Sequence, residues 1–382
     1  MDKFARIREF FPVTKEKVYL NNAAVSPVPP FIGREAGLIY EGYALAGGDR
    51  EGEWLKRVEE VRGRVAQLVG ADSREICFVK NTTEGMVLAA RGIRWREGDN
   101  VVSLRGEFPA VTVPLNLLAG RGVELRLVGP EPDNSFDVQR VAEAMDGSTR
   151  MVMVSFVEFH TGARNDLAAL GEVCREREVF LAVDGVQGVG ALKTAVHDWK
   201  VDLLSAGGHK WLLAGEGVGF CYVRRECLDR LDPVTAGWLS VEDPVEFLRL
   251  DLEEAPFDKP LRADAKRYEG GTLNIAGIHC LGRSVETMLE LGVNDIETRI
   301  LTLSARLVEG LRAKSYRVLS PQGRGHRSGI TSFRPEREDA RKLLVDLRRR
   351  GFSLGFPCGS LRASPHYYNN EEDIDRLLEA LP

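Results

Sequence analysis

The chain has 382 residues, of which 43% are hydrophobic and 29% charged, the balance of an ordinary globular protein with material for about two or three domains. Its 52 basic and 57 acidic residues leave a formal charge of −5, without the strongly basic face that a nucleic-acid backbone requires. No apolar run approaches the roughly 18 residues needed to span a bilayer, so neither nucleic acid nor membrane is an expected partner.

In chain order, β-branched apolar runs predict strands at Glu75–Val79, Val101–Leu104, Val123–Val128, Arg150–Phe156, Val179–Asp184, Asp202–Ala206 and Gly219–Val223. Helical patterns lie between them at Thr83–Gly92, Ala110–Ala119, Val138–Met145 and Leu167–Glu178. The run from Arg150 is nearly all apolar rather than alternating, as expected of a strand covered on both faces by crossover helices. The fold class is therefore α/β, with a large domain over 21–265 built on a mainly parallel seven-stranded sheet. From about Leu228 to Lys266, four prolines among acidic residues indicate an irregular or partly helical connection. Helices follow at Ile275–Leu291 and Ile296–Ala313. Then come strands Tyr316–Leu319 and Gly329–Phe333, helix Glu338–Arg350, a short strand at Phe352–Leu354 and helix Glu371–Leu381. That is a second, smaller α+β domain over 266–382.

Open parallel sheets bind ligands at the carboxyl ends of their strands. One apolar strand ends in Asp184, and the next runs into Gly207-Gly208-His209-Lys210-Trp211. Asp before Gly is also common turn chemistry, and most lysines are solvated. Yet one crossover separates the two residues, so both project into one crevice, and a desolvated lysine is a nucleophile or Schiff-base former. This pairing matches the needs of pyridoxal 5′-phosphate: a lysine for the Schiff base and a carboxylate for the pyridine nitrogen. Asn81-Thr82-Thr83-Glu84-Gly85 follows a strand and opens a helix, offering N–H groups and hydroxyls to a phosphate or an ordinary N-cap. No HExxH motif or Cys/His cluster supports a metal. Six cysteines without a CxxC pair fit reduced thiols in a cytoplasmic protein.

Seven segments, YLNNAA (Tyr19–Ala24), NTTEG (Asn81–Gly85), GEFPA (Gly106–Ala110), VDGVQ (Val183–Gln187), GGHKWL (Gly207–Leu212), YEGGTLN (Tyr268–Asn274) and LRASPHYYN (Leu361–Asn369), run in order along the chain. Together they resemble the class V aminotransferases, a fold-type I pyridoxal phosphate group that also contains cysteine desulfurases, kynureninase and isopenicillin N epimerase. The resemblance implies that Lys210 carries the cofactor as a Schiff base and then shuttles protons. It also implies that Asp184 pairs with the pyridine nitrogen and that Gln187 faces the ring hydroxyl. Thr82, Thr83 and His209 would meet the phosphate, and Phe108 would stack on the ring. Thr272 would reach the phosphate of a neighbouring subunit in a homodimer with shared active sites. Arg362 would hold the substrate carboxylate as a bidentate fork, and Asn22 would shape the substrate pocket. Residues 1–20 would form an arm packing on the small domain.

Three departures bear on the reaction. The ring-stacking histidine of cysteine desulfurases falls at Phe108, their serine three residues before the lysine is Gly207, and an asparagine beside the ring hydroxyl falls at Phe156. The nucleophilic cysteine they use upstream of the arginine has one counterpart, Cys358, in a tight turn four residues before Arg362. A PLP-dependent transaminase acting on a small L-α-amino acid, with a keto acid as product, is the leading expectation. A carbon–sulfur lyase or desulfurase is the alternative, and an epimerase stands third. A dinucleotide-binding reading fails because the Gly185–Gly190 segment reads GxxGxG rather than GxGxxG.

Overall fold

Runs such as Ile76-Cys-Phe-Val79 and Phe180-Leu-Ala-Val-Asp184 can satisfy their backbone only by pairing, because both faces are apolar. In the computed structural model, which describes residues 2–246, 250, 258–336 and 338–382, they do so in one sheet. In chain order the strands of the protein are β1 (Val18–Tyr19), β2 (Ile76–Val79), β3 (Asn100–Leu104), β4 (Glu124–Val128), β5 (Thr149–Ser155) and β6 (Phe180–Asp184). They continue as β7 (Leu203–Gly207), β8 (Gly219–Val223), β9 (Arg317–Val318), β10 (Thr331–Arg334), β11 (Phe352–Ser353) and β12 (Leu361–Ala363). The seven-stranded sheet has the order β2-β8-β7-β6-β5-β3-β4. All its pairs are parallel except those made by β8, which is antiparallel to both neighbours. Central strands β3 and β6 to β8 are buried throughout, whereas edge strand β4 keeps charged Glu124 and Arg126 on its rim. After β3 the chain lays β4 on one side and β5 on the other, which creates a switch point where crossovers part and leave a crevice.

The helix expected over 110–119 runs Pro109–Asn116 and then tightens into a 3₁₀ turn, Leu117–Arg121. Two helices absent from the sequence reading, Pro30–Ala46 and Glu51–Val69, pack against Ile275–Leu291. Gly282 makes that approach possible, since a Cβ there would lie 2.3 Å from Val61. Of the proline-rich connection, the described part holds short 3₁₀ turns at Arg225–Arg230, Trp238–Ser240 and Ala265–Tyr268. Pro256 lies outside the described residues.

The C-terminal region carries an antiparallel sheet, β12-β10-β9, and a parallel pair joining β1 to β11. β12 did not register as a strand in the sequence. Val18 and Leu20 are buried with Leu303, Leu307, Phe333 and Leu361 in one apolar cluster. The residues after β1 continue across the small sheet, where Asn21 bridges Ser364.

Candidate active site

β6 delivers Asp184 at its last position, 2% exposed, with Oδ1 accepting a hydrogen bond from the Val186 N–H at 3.0 Å. Burial raises its pKa, against the pull of that hydrogen bond and of Lys210. β7 ends at Gly207, and the turn beyond it places Lys210, 8% exposed, in the same crevice. Desolvation brings the Lys210 ammonium down to about 8, although Asp184 pulls the other way. Its Nζ stands 5.5 Å from the centroid of Phe108, a half-exposed ring packed edge-on against Phe159.

An anion corner adjoins the lysine. Asn81 caps helix Thr82–Gly92 by accepting from the Glu84 N–H, and Thr82 Oγ1 accepts from the Gly207 N–H at 3.0 Å. Thr83 is exposed on the first turn, where helix N–H groups lack intrahelical partners. His209 faces the same corner, with its pKa lowered by burial and by Lys210. A Cβ at Gly207 would crowd both His209 Nδ1 (3.1 Å) and Thr82 Oγ1 (3.3 Å), so glycine keeps the corner open. Asn81, Thr82, Thr83, Phe108, Asp184, Gln187, His209, Lys210 and Arg362 line one cleft of about 700 Å³, within the ordinary range for small-molecule sites.

At the other end, Arg362 on β12 is 5% exposed and donates from Nη1 to the Phe159 carbonyl at 2.7 Å. Burial lowers its pKa to about 10. Its Nε and the Oδ1 of Asn21 are buried without hydrogen-bond partners among the described residues. A Cβ on Gly355 would lie 2.8 Å from that Oδ1 and 3.0 Å from that Nε, so both atoms face one small space. Buried polar atoms are almost always paired, so an open donor and an open acceptor at one point of the cleft stand out.

Asn22 does not belong there, contrary to the sequence expectation. Its amide donates to the Ser364 carbonyl at 2.8 Å and accepts from Ser26 and Tyr368 hydroxyls at 3.0 Å each. Its neighbour Asn21 lines the cleft instead. Thr272 is not brought together with the other residues either. It is exposed in a separate depression with Lys80, Glu84 and Tyr268.

Sequence reasoning missed two carboxyls beneath the crevice. Glu107 accepts from the Ser155 N–H at 2.6 Å and meets its hydroxyl, and Ser155 lies opposite Asp184 in the β5–β6 register. Burial, with a further push from Asp184, raises the Glu107 carboxyl to about 8. Glu158 is fully buried, accepts from Asn165 at 3.0 Å and has its second oxygen unpartnered; burial and Glu107 push its pKa well up. The only available signal was their position just past the ends of buried strands. Among the described residues no group of three or more His, Cys, Asp or Glu could hold a metal ion, and no helix is long and apolar enough to cross a membrane.

A desolvated lysine, a buried aspartate at the end of the adjoining strand, a flanking aromatic ring and an open anion corner suit pyridoxal phosphate, and the open Arg362 guanidinium donor beside Gly355 suits a carboxylate. These features define a fold-type I pyridoxal phosphate enzyme, and that is the cofactor of this protein. The aminotransferase class-V family model matches residues 18–377, and the chain belongs to that family. It is 29% identical to a probable cysteine desulfurase of Methanothermobacter thermautotrophicus, covering 98% of this chain and 96% of the relative. The structure superimposes on a cysteine desulfurase from Thermococcus onnurineus with a TM-score of 0.87 at 25% identity, over 98% and 96% of the two chains. It shares its fold with C-DES, a cystine C–S lyase solved with glycine linked to its PLP cofactor. For that pair the TM-score is 0.88 at 22% identity, over 97% and 98% of the chains.

Proposed function

We propose that this protein is a carbon–sulfur lyase acting on cysteine or a cysteine derivative, converting cysteine and water to pyruvate, ammonia and hydrogen sulfide. The carrying observation is the substrate end of the cleft. Arg362 and Asn21 leave a donor and an acceptor open for the amino-acid head, while Phe108, Phe159, Phe356 and Pro357 form the wall around it. That wall suits a short, soft side chain, with Glu216 and Arg348 the charged residues elsewhere in the lining. Relatives named as cysteine desulfurases and a fold neighbour named as a cystine C–S lyase support the same substrate class.

When bound, pyridoxal phosphate supplies an electron sink for charge at the substrate α-carbon. The residues of this chain do the rest. Asp184 holds the ring nitrogen, Thr82, Thr83 and His209 the phosphate, Gln187 the ring oxygen, and Phe108 the ring face. Arg362 orients the α-carboxylate, and the open Asn21 Oδ1 beside it can accept from the amino group. Lys210, brought near neutrality by burial, removes the α-proton once the substrate amine displaces it. Cys358 is exposed on the turn Pro357–Gly359, and its neighbours Phe356 and Pro357 line the cleft. Cys358 itself does not line the cleft and is held in that short turn, so in this reading sulfur leaves to solvent rather than to this thiol.

Incubation with L-cysteine and L-cystine tests the reading. Pyruvate accumulating with sulfide or persulfide is the expected result; alanine accumulating with a persulfide on Cys358 would replace it with the desulfurase reaction. Transamination is the second reading, favoured by Phe108, because a phenyl ring cannot protonate departing sulfur. Its signature is a keto acid formed in step with conversion of the cofactor to its amine form. We also propose a homodimer, in which Thr272 serves the partner's phosphate corner, and a cytoplasmic location, consistent with six unpaired cysteines of which five are buried. Sedimentation of the holoenzyme checks the first.

A further inference from the structure

Trp211 follows the lysine directly, yet it is fully buried and does not line the cleft. Its indole N–H donates to Gln187 Oε1 at 3.0 Å, while Gln187 Nε2 donates to the Ala23 carbonyl at 2.9 Å. An indole can only donate and a backbone carbonyl can only accept. These two partners therefore fix which end of the Gln187 amide is oxygen and which is nitrogen, an assignment that is otherwise ambiguous. The amide has two N–H groups, and one is spent on Ala23. Gln187 is 3% exposed and lines the cleft beside Asp184 and Lys210, and its second N–H is the donor left unspent.

The indole is itself held rigidly. A Cβ at Gly329 would lie 2.7 Å from its ring, and the Trp211 carbonyl meets buried His366 Nε2 at 3.0 Å. His366 Nδ1 accepts from the Tyr367 N–H at 2.8 Å, which leaves Nε2 as the protonated nitrogen and the donor to Trp211. His366 thus holds the Trp211 backbone in place, and the Trp211 indole and the Ala23 carbonyl together hold Gln187.

We propose that Trp211 is a positioning residue that locks Gln187 as a hydrogen-bond donor to the cofactor's ring oxygen, and so selects the ionised form of that oxygen. The inference rests on the cofactor and not on the identity of the substrate. A donor stabilises an oxyanion, whereas a flipped amide would turn its carbonyl oxygen toward that charge. Losing a hydrogen bond to a charged group costs about 1.5–3 kcal/mol, equivalent to about one to two pH units in the oxygen's titration.

The experiment is a spectrophotometric pH titration of the visible band of the holoenzyme, without substrate, for wild type, Trp211→Phe and Gln187→Leu. Both variants should raise the midpoint by about one unit or more. A Trp211→Phe midpoint equal to wild type, even with a lowered melting temperature, would reduce Trp211 to packing and overturn the proposal. If Trp211→Phe does not fold, the indole N–H resonance of Trp211 is followed in the apoprotein of wild type and Gln187→Leu. A shifted, faster-exchanging indole proton in Gln187→Leu supports the Trp211–Gln187 bond on which the proposal rests, and an unchanged one overturns the proposal. Absence of lyase activity would leave both readouts intact, so failure of the proposed function and failure of this inference are distinguishable.

Discussion

At one end of the cleft, Asp184 closes β6 and Lys210 lies in the turn just past the neighbouring β7, one crossover away. At the substrate end, Asn21 and Arg362 come from opposite parts of the chain and meet through the small sheet and the Gly355 turn. The first arrangement follows from strand registry, which the apolar pattern dictates. The second depends on packing between segments that share no local pattern. On the roles proposed above, cofactor chemistry is anchored in the buried sheet, and substrate choice where the two ends of the chain meet.

Substitutions can break that contrast. Lys210→Ala should have the largest effect, cutting turnover by more than about 10³-fold and shifting the visible band of the bound cofactor; spectra with steady-state rates on cysteine check both. Arg362→Ala should raise KM by roughly 30- to 150-fold, the equivalent of about 2–3 kcal/mol for a charge-assisted pair. It should leave the substrate-free spectrum unchanged, so that the two ends separate experimentally. A moderate, pH-dependent effect belongs to Glu107. Its folded-state pKa is raised to about 8 from an ordinary 4.5, so its neutral form stabilises the fold at low pH. That contribution is lost as pH rises from about 4.5 through 8. Glu107→Gln stays neutral, so its melting temperature should gain on wild type across that window and run parallel above it. Cys358→Ser should be the smallest, changing pyruvate release by less than about twofold; complete loss would move the sulfur onto the protein.

The seven sheet strands were legible because each is rich in β-branched or other apolar residues, and Asp184 and Lys210 stood out as polar residues at or just past the ends of two such runs. Arg362 and the threonines of the anion corner were placed by motif rather than by pattern. Glu107 and Glu158 were missed because a carboxylate in a loop reads as solvated; only the packing around Ser155 and Asn165 reveals that they are buried. Asn21 and Asn22 are adjacent in an irregular segment, where no periodicity says which faces the cleft. The choice is made by Ser364, far along the chain. Helices Pro30–Ala46 and Glu51–Val69 were overlooked between the motifs that flank them.

The parallel pairing of β1 with β11, and the Asn22 contact with Ser364, also bear on assembly order. These contacts join residues more than 330 positions apart, and closing so long a loop is slow because its entropy is lost before the contacts repay it. On a ribosome the seven-stranded sheet can form, with its lysine and aspartate in place, while β11 and β12 are still unsynthesised. Arg362, proposed to hold the amino-acid head, is then added well after Asp184 and Lys210. A nascent chain would gain the capacity to hold its cofactor before it could select a substrate.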